Sequence, residues 1–211
     1  GPLIADTLSA SGAFSYAERE GFTVNDVTGN DLDSRGAFSG KGQLLWKPAS
    51  QWEARLIVSG ERARDGDYAL NDLAALRENP FHSSRDYEGY TNRDIFGTTI
   101  QAERTGASMQ LSSTTGFLKW KTEDSTDLDY SPMPLITRDN AEEDFQFTQE
   151  VRFASAAIAP LQLSDTVTLK WQGGVNYFNQ NYEQLAINTL SAHRASSIWL
   201  MAASAASSQR L

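Results

Sequence analysis

Side chains able to do chemistry are few in this chain and poorly placed for it. His82 and His193 are the only histidines, and cysteine is absent. Without cysteine no thiolate zinc site can be assembled, and with His82 in a long loop and His193 in the Ala/Ser-rich tail a histidine-based triad or zinc site is not expected. No catalytic residue, metal ligand or cofactor is therefore assigned. Acidic residues cluster three times: Asp26, Asn30, Asp31 and Asp33; Asp65 and Asp67 around Gly66; and Asp124, Asp127 and Asp129. Their composition is that of calcium loops, but the D-x-[DN]-x-[DN]-G spacing is not met. They read as solvated acidic loops.

Two other groups point to binding rather than catalysis. Tyr68, Phe81, His82, Tyr87 and Tyr90 fall in one long polar segment. Rings on a loop can capture a small chelate by stacking, or pack the loop on itself; these five are the ligand-binding candidates. The second group is charged or polar and regularly spaced: Lys41, Gln43, Glu53, Arg55, Glu150, Arg152 and Lys170, with Glu61 and Glu103 in the same phase. Such residues share one strand face. On a solvated face their ion pairs are worth ~0–1 kcal/mol each. Lining a lumen, guiding a ligand or contacting another domain is the functional alternative.

The elements that must position these residues are strands. Residues 37–61 read AFSGKGQLLWKPASQWEARLIVSGE. Phe38, Gly40, Gly42, Leu44 and Trp46, then Trp52, Ala54, Leu56, Val58 and Gly60, occupy the even positions, and most odd positions are polar. A period of two on both sides of a Pro48-Ala49-Ser50 turn is a two-faced hairpin. With a three-residue turn, Trp46 faces Trp52, Gly42 faces Leu56 and Gly40 faces Val58. Similar runs begin at Thr7, Ile95, Ser108, Asp144 and Thr166, making seven strands. The phase of the run at 108–121 is ambiguous between Leu111, Ser113, Thr115, Phe117 and Gly116, Leu118, Trp120. Polar segments at 18–36, 62–94 and 122–143 are long, whereas 48–50 and 105–107 are tight. A short helix is expected from Asn71, as its N-cap, to a stop at Pro80.

Bulk properties narrow the partners. A net charge of −9 among 211 residues, without a basic cluster, argues against nucleic acid. Mean hydropathy is −0.45, and no apolar run approaches ~18 residues, so no helical membrane span is expected. The first residues, GPLIADTLSA, lack the charged and apolar regions of a signal peptide. Runs of ~9–11 alternating residues fit tilted strands that cross a bilayer. Long connections sorted to one end, with tight turns at the other, are a property of outer-membrane barrels. A soluble sheet buried on one side yields the same period, but glycines on the apolar face and tryptophans beside a turn favour the barrel. Tyr16, Phe38, Phe145 and Tyr177 then form one interfacial girdle, Trp46 and Trp52 mark the opposite rim, and Trp171 is a further interface aromatic.

The phrases SYAEREGFTVNDVTGNDLDSR, FSGKGQLLWKP, QWEARLIVSGERARDGDYALNDL, SSTTGFLKW and EEDFQFTQEVRFAS resemble the barrel of TonB-dependent outer-membrane receptors of the iron–siderophore type. The resemblance covers residues 1–189 and implies a partial, open barrel from a fold of about 22 strands with an N-terminal plug. It implies uptake of a ferric siderophore or another scarce nutrient such as a carbohydrate or cobalamin. The implied partners are outer-membrane lipid, the plug, the TonB system and a ferric chelate. Neither a plug nor a TonB-contacting box is recognised in the chain. Residues 190–211, rich in Ala and Ser, do not resemble the family and read as an atypical tail. A soluble all-β adhesin or binding module is the alternative outside the family.

Overall fold

The computed structural model describes residues 1–156 and 161–191, and the backbone pairing of 203–207. Its main sheet is an antiparallel meander built on seven long strands. These are β2 (Leu8–Arg19), β4 (Arg35–Ala49), β5 (Trp52–Gly66), β7 (Tyr90–Thr105), β8 (Met109–Asp127), β9 (Ile136–Ser155) and β12 (Gln172–Leu190). The short β1 (Pro2–Ile4) extends one edge and β13 (Ala203–Ser207) the other, giving nine strands in the order β1-β2-β4-β5-β7-β8-β9-β12-β13. The two edges are not paired with each other among the described residues. Small two-stranded units lie outside the sheet. A parallel bridge joins β3 (Val24–Asn25) to β6 (His82–Ser83), and a hairpin joins β10 (Leu161–Ser164) to β11 (Val167–Leu169).

The seven strands are longer than the alternating runs. β8 and β9 have 19 and 20 residues, or about 60 Å at ~3.3 Å per residue. They run on through segments expected to be loop, so the third connection shrinks from 122–143 to 128–135. Once strand pairing begins, neighbouring backbones satisfy each other regardless of side-chain polarity. The seventh strand also differs from the expected 166–179. Val167–Leu169 belongs to the β10–β11 hairpin, and β12 starts at Gln172 and extends to Leu190. The connection from β9 to β12 is consequently long, so not every connection at the tight-turn end is short.

The central hairpin keeps its faces but shifts its register by two residues. Trp46 opposes Ala54, Gly42 opposes Val58 and Gly40 opposes Gly60. The expected Trp46–Trp52 pair is not formed; Trp52 opposes Ala49 and lies 5.5 Å from the Arg104 guanidinium. Pro48 has no N–H to donate. The ladder is irregular between Trp46 and Ala49, and the chain turns at Ser50 and Gln51 instead. A slip of two leaves every side chain on its original face.

Burial is inverted relative to a water-soluble domain. Among the described residues, the buried apolar side chains are Leu32, Ala63 and Ala156, whereas Asn25, Asp67, Arg85, Asp127 and Asp144 are among the buried polar ones. No helix of the described residues is long and apolar enough to cross a membrane. The helix α1 (Leu73–Glu78) is one short turn-and-a-half in a connection. Its cap is Asp72, not Asn71: the Asp72 carboxylate accepts from the backbone of Ala74 at 2.8 Å and Ala75 at 3.2 Å. Asn71 instead donates to the His82 carbonyl at 2.9 Å.

Candidate functional site

Strand register assigns one face to the apolar residues throughout. Even positions of β2, β4, β5 and β7 align with odd positions of β8, β9 and β12. Pairing of Phe117 with Phe147 and Leu111 with Phe153 settles the ambiguous phase of β8 in favour of Leu111, Ser113, Thr115 and Phe117. Along this face the apolar run on six strands stops at an aromatic residue before a polar or glycine position. The steps are Tyr16 to Glu18, Phe38 to Gly36, Phe96 to Asp94, Phe117 to Lys119, Phe145 to Glu143 and Tyr177 to Asn179. All six aromatics are exposed, Tyr16 by 61% and Phe145 by 42%. Phe14 and Phe38 pack edge to face at 4.5 Å, and Phe147 bridges Phe117 and Tyr177 at 5.1 and 6.1 Å. Phe96 and Phe117 extend this aromatic row beyond the residues singled out from sequence. Beyond the band the same face is charged, with Lys119 on Glu143 at 2.6 Å and Arg64 on Asp94 at 2.7 Å.

At the other end of the band, Trp46 and Trp52 are exposed beside the β4–β5 turn. Trp171 precedes β12 by one residue, and its carbonyl accepts from Ser155 N at 2.8 Å, continuing the β9–β12 register.

The opposite face is polar and grooved. Glu53, Arg55, Glu103, Thr114, Glu150 and Arg152 line one groove across four strands. Lys41 lines another, and Gln43 shares its phase on β4, opposite Ile57. Charges here are paired: Arg55 with Glu53 at 3.1 Å, Arg152 with Glu150 at 2.7 Å and Arg93 with Glu61 at 2.6 Å. Lys170 falls between β11 and β12, outside the ladder. Higher on this face lies a group that sequence reasoning missed. The buried Asp144 carboxylate accepts from Trp120 Nε1 at 2.9 Å, Gln146 at 2.7 Å and Gln180 at 3.0 Å. Trp120 and Tyr182 rings lie 6.0 Å apart. Asp144 already accepts three hydrogen bonds, so it orients rings and amides rather than acting as a base. Its signal was present in the rejected phase of β8, where Trp120 stands among polar positions.

The long connections converge at the end beyond this aromatic row. β3 and β6 bring residues 20–34 against 80–88. Asn25 accepts from Arg85 N and donates to the Arg85 carbonyl, both at 3.0 Å. The buried Arg85 guanidinium contacts Asp67 at 3.0 Å and Asp67 accepts from Thr126 at 2.7 Å. Burial pushes the Asp67 carboxyl above the ordinary range, although Thr126, the Tyr68 N–H and Arg85 pull the other way. Two glycines permit this closeness: a Cβ on Gly66 would sit 1.9 Å from the Leu32 carbonyl oxygen, and one on Gly89 1.8 Å from that of Ser125. Of the five ligand candidates, Tyr68, Phe81 and Tyr90 are exposed. His82 is engaged by Asp26 at 2.7 Å and the Tyr87 hydroxyl by Ser125 at 2.8 Å. Among the described residues the rings of Tyr68, Phe81, Tyr87 and Tyr90 form no stack with one another.

No known family profile matches the chain. Among solved structures it is similar to the ferric yersiniabactin uptake receptor FyuA from Yersinia pestis, with a TM-score of 0.70 at 19% identity. The chain has the fold of a partial receptor β-barrel. The match covers 90% of this chain and 29% of that receptor, so the chain spans less than a third of the length of the protein it matches. That neighbour is an uptake receptor.

Proposed function

We propose that this chain forms part of the wall and outer loops of an outer-membrane receptor that takes up a ferric siderophore or a similar scarce nutrient. The observation that carries the proposal is the outward apolar band. It ends in aromatics on six strands, faces away from a polar, ion-paired groove and sits on a fold shared with a ferric-chelate uptake receptor. In this reading the band meets lipid, because strands satisfy their own backbone groups and exposed apolar side chains then gain by leaving water. The grooved face becomes the lumen. There Lys41, Gln43, Glu53, Arg55, Glu150 and Arg152 would meet a plug domain or a passing ligand. Capture of a ferric chelate falls to Tyr68, Phe81 and Tyr90, with Trp120 and Tyr182 below them on the wall. The inner-membrane TonB system would supply the work of release.

The test is fluorescence of the refolded chain in liposomes whose acyl chains are brominated. Quenching is expected, and should largely vanish in a variant with Trp46, Trp52, Trp171 and Trp199 changed to Phe, because the one remaining tryptophan, Trp120, faces away from lipid. A monodisperse, detergent-free protein insensitive to bromine would overturn the membrane reading in favour of a soluble binding module. Ferric yersiniabactin serves as the ligand probe. Quenching of Trp120 supports a ferric chelate, and its failure with membrane insertion intact turns the search to a carbohydrate or cobalamin.

A further inference from the structure

Above the β8–β9 ladder, three carboxylates meet. One ligand-capable oxygen from each of Asp86, Asp127 and Asp129 lies within 4.8 Å of the others. Asp127 is fully buried, and its Oδ2 has no hydrogen-bond partner. Its other oxygen accepts the backbone N–H groups of Asp129 at 3.0 Å and Tyr130 at 3.2 Å. An orphaned carboxylate oxygen in a buried position is costly, and here it stands among like charges.

The nearby cation does not relieve it. Arg85 lies over the Tyr130 ring at 5.1 Å. Its guanidinium is occupied by Asp67, Ser83 and the Tyr68 and Leu70 carbonyls. Among the described residues, no Lys or Arg forms an ion pair with Asp86, Asp127 or Asp129. Burial, and then the Asp129 and Asp86 charges, push the Asp127 carboxyl above the ordinary range, against the pull of the Asp129 and Tyr130 N–H groups.

We propose that Asp86, Asp127 and Asp129 bind a hard divalent cation, with calcium as the fitting ion, using the orphaned Asp127 oxygen as the buried ligand. Carboxylate oxygens alone, with room left for water on the accessible side, suit calcium better than a softer metal. Asp129 holds the loop in shape by accepting from Ile136 N at 3.0 Å and Ser131 N at 3.1 Å. Asp86 arrives from a different connection, and its N–H donates to the Ser131 carbonyl at 3.3 Å. A bound ion would therefore pin the 80–88 segment to the 128–135 loop. The inference does not depend on what meets the apolar band or on the nutrient.

Terbium, excited through the adjacent Tyr130, reports the site in the full chain in detergent. Sensitised emission is expected, displaced by calcium with Kd on the order of 10⁻⁴–10⁻³ M, the range of extracellular modules. Magnesium should compete less well. Asp86→Asn, at an accessible position outside the buried network, should weaken calcium about tenfold or more. Asp127→Asn should abolish binding, and circular dichroism identifies a variant that fails to fold. Calcium should slow amide exchange in both 80–88 and 128–135. Emission that calcium does not displace, or calcium affinity unchanged in a folded Asp86→Asn variant, would overturn the site; a shared proton would then neutralise Asp127.

Discussion

Thr115 donates its hydroxyl to the side-chain oxygen of Gln149 across the β8–β9 ladder at 2.6 Å, and the Gln149 amide donates to Ser113 at 3.0 Å. These three polar residues lie on the mainly apolar face. They close their hydrogen bonds on one another and on the Glu150 carbonyl, 3.0 Å from the Gln149 amide. Against lipid, where water is not available, such closure is the condition for tolerating them. Gln149→Ala should therefore cost about 1–3 kcal/mol in liposomes by leaving both hydroxyls unpaired. Combining it with Thr115→Val and Ser113→Ala should recover most of the loss. Urea unfolding from liposomes measures it, and additive effects would show that the three do not act as a unit.

Leu56 and Arg55 are adjacent and face opposite ways. Leu56 opposes Leu44 and Ile100 within the apolar band, and Arg55 pairs with Glu53 on the grooved face. If the band meets lipid, Leu56→Arg should cost ~2–4 kcal/mol and Arg55→Leu much less. The same liposome unfolding experiment reads both, and equal costs would count against a lipid-facing band.

The glycines divide by what stands over them. A Cβ on Gly89 would overlap the Ser125 carbonyl, whereas one on Gly42 meets nothing within 4 Å. Gly89→Ala should destabilise the loop end by ~1–3 kcal/mol, through a backbone shift, and raise amide exchange at 82–90. Gly42→Ala should leave exchange unchanged. An unperturbed Gly89→Ala variant would mean that the β7 entrance does not lie against β8 as described.

Acid should loosen the joint between the first two long connections. Burial alone would raise the Glu88 carboxyl, but hydrogen bonds from Thr28, Asn30 and Asn25 outweigh it and hold it below its ordinary value. A carboxyl depressed on folding stabilises the fold above its unfolded pKa of about 4.3. That stabilisation is lost as pH falls through the lower folded value. Asp67 is raised chiefly by burial, so acid relieves it and opposes the trend. Amide protection in 24–30 should drop in acid, and Glu88→Gln should flatten the dependence. The same pH profile in the variant would remove Glu88 as the cause.

Much of the architecture is local and was legible in the residues themselves. Alternation from Phe38 to Gly60 assigns faces, since period two is a property of each strand alone. The aromatic before a charged position, as in Phe145 and Glu143, marks where an apolar run ends. Tertiary structure decided whatever alternation leaves invariant. A two-residue slip preserves faces, so only the Pro48 irregularity places Trp46 against Ala54. The phase of β8 was hidden because Ser113 and Thr115 look polar until Gln149, opposite Thr115, hydrogen-bonds to both. The loop joint was likewise unreadable, because Asn25 and Arg85 are 60 residues apart and a buried hydrogen bond between loops leaves no periodic trace. Those long-range polar contacts, rather than the strands, determine whether Asp127 is a solvated loop carboxylate or a buried ligand.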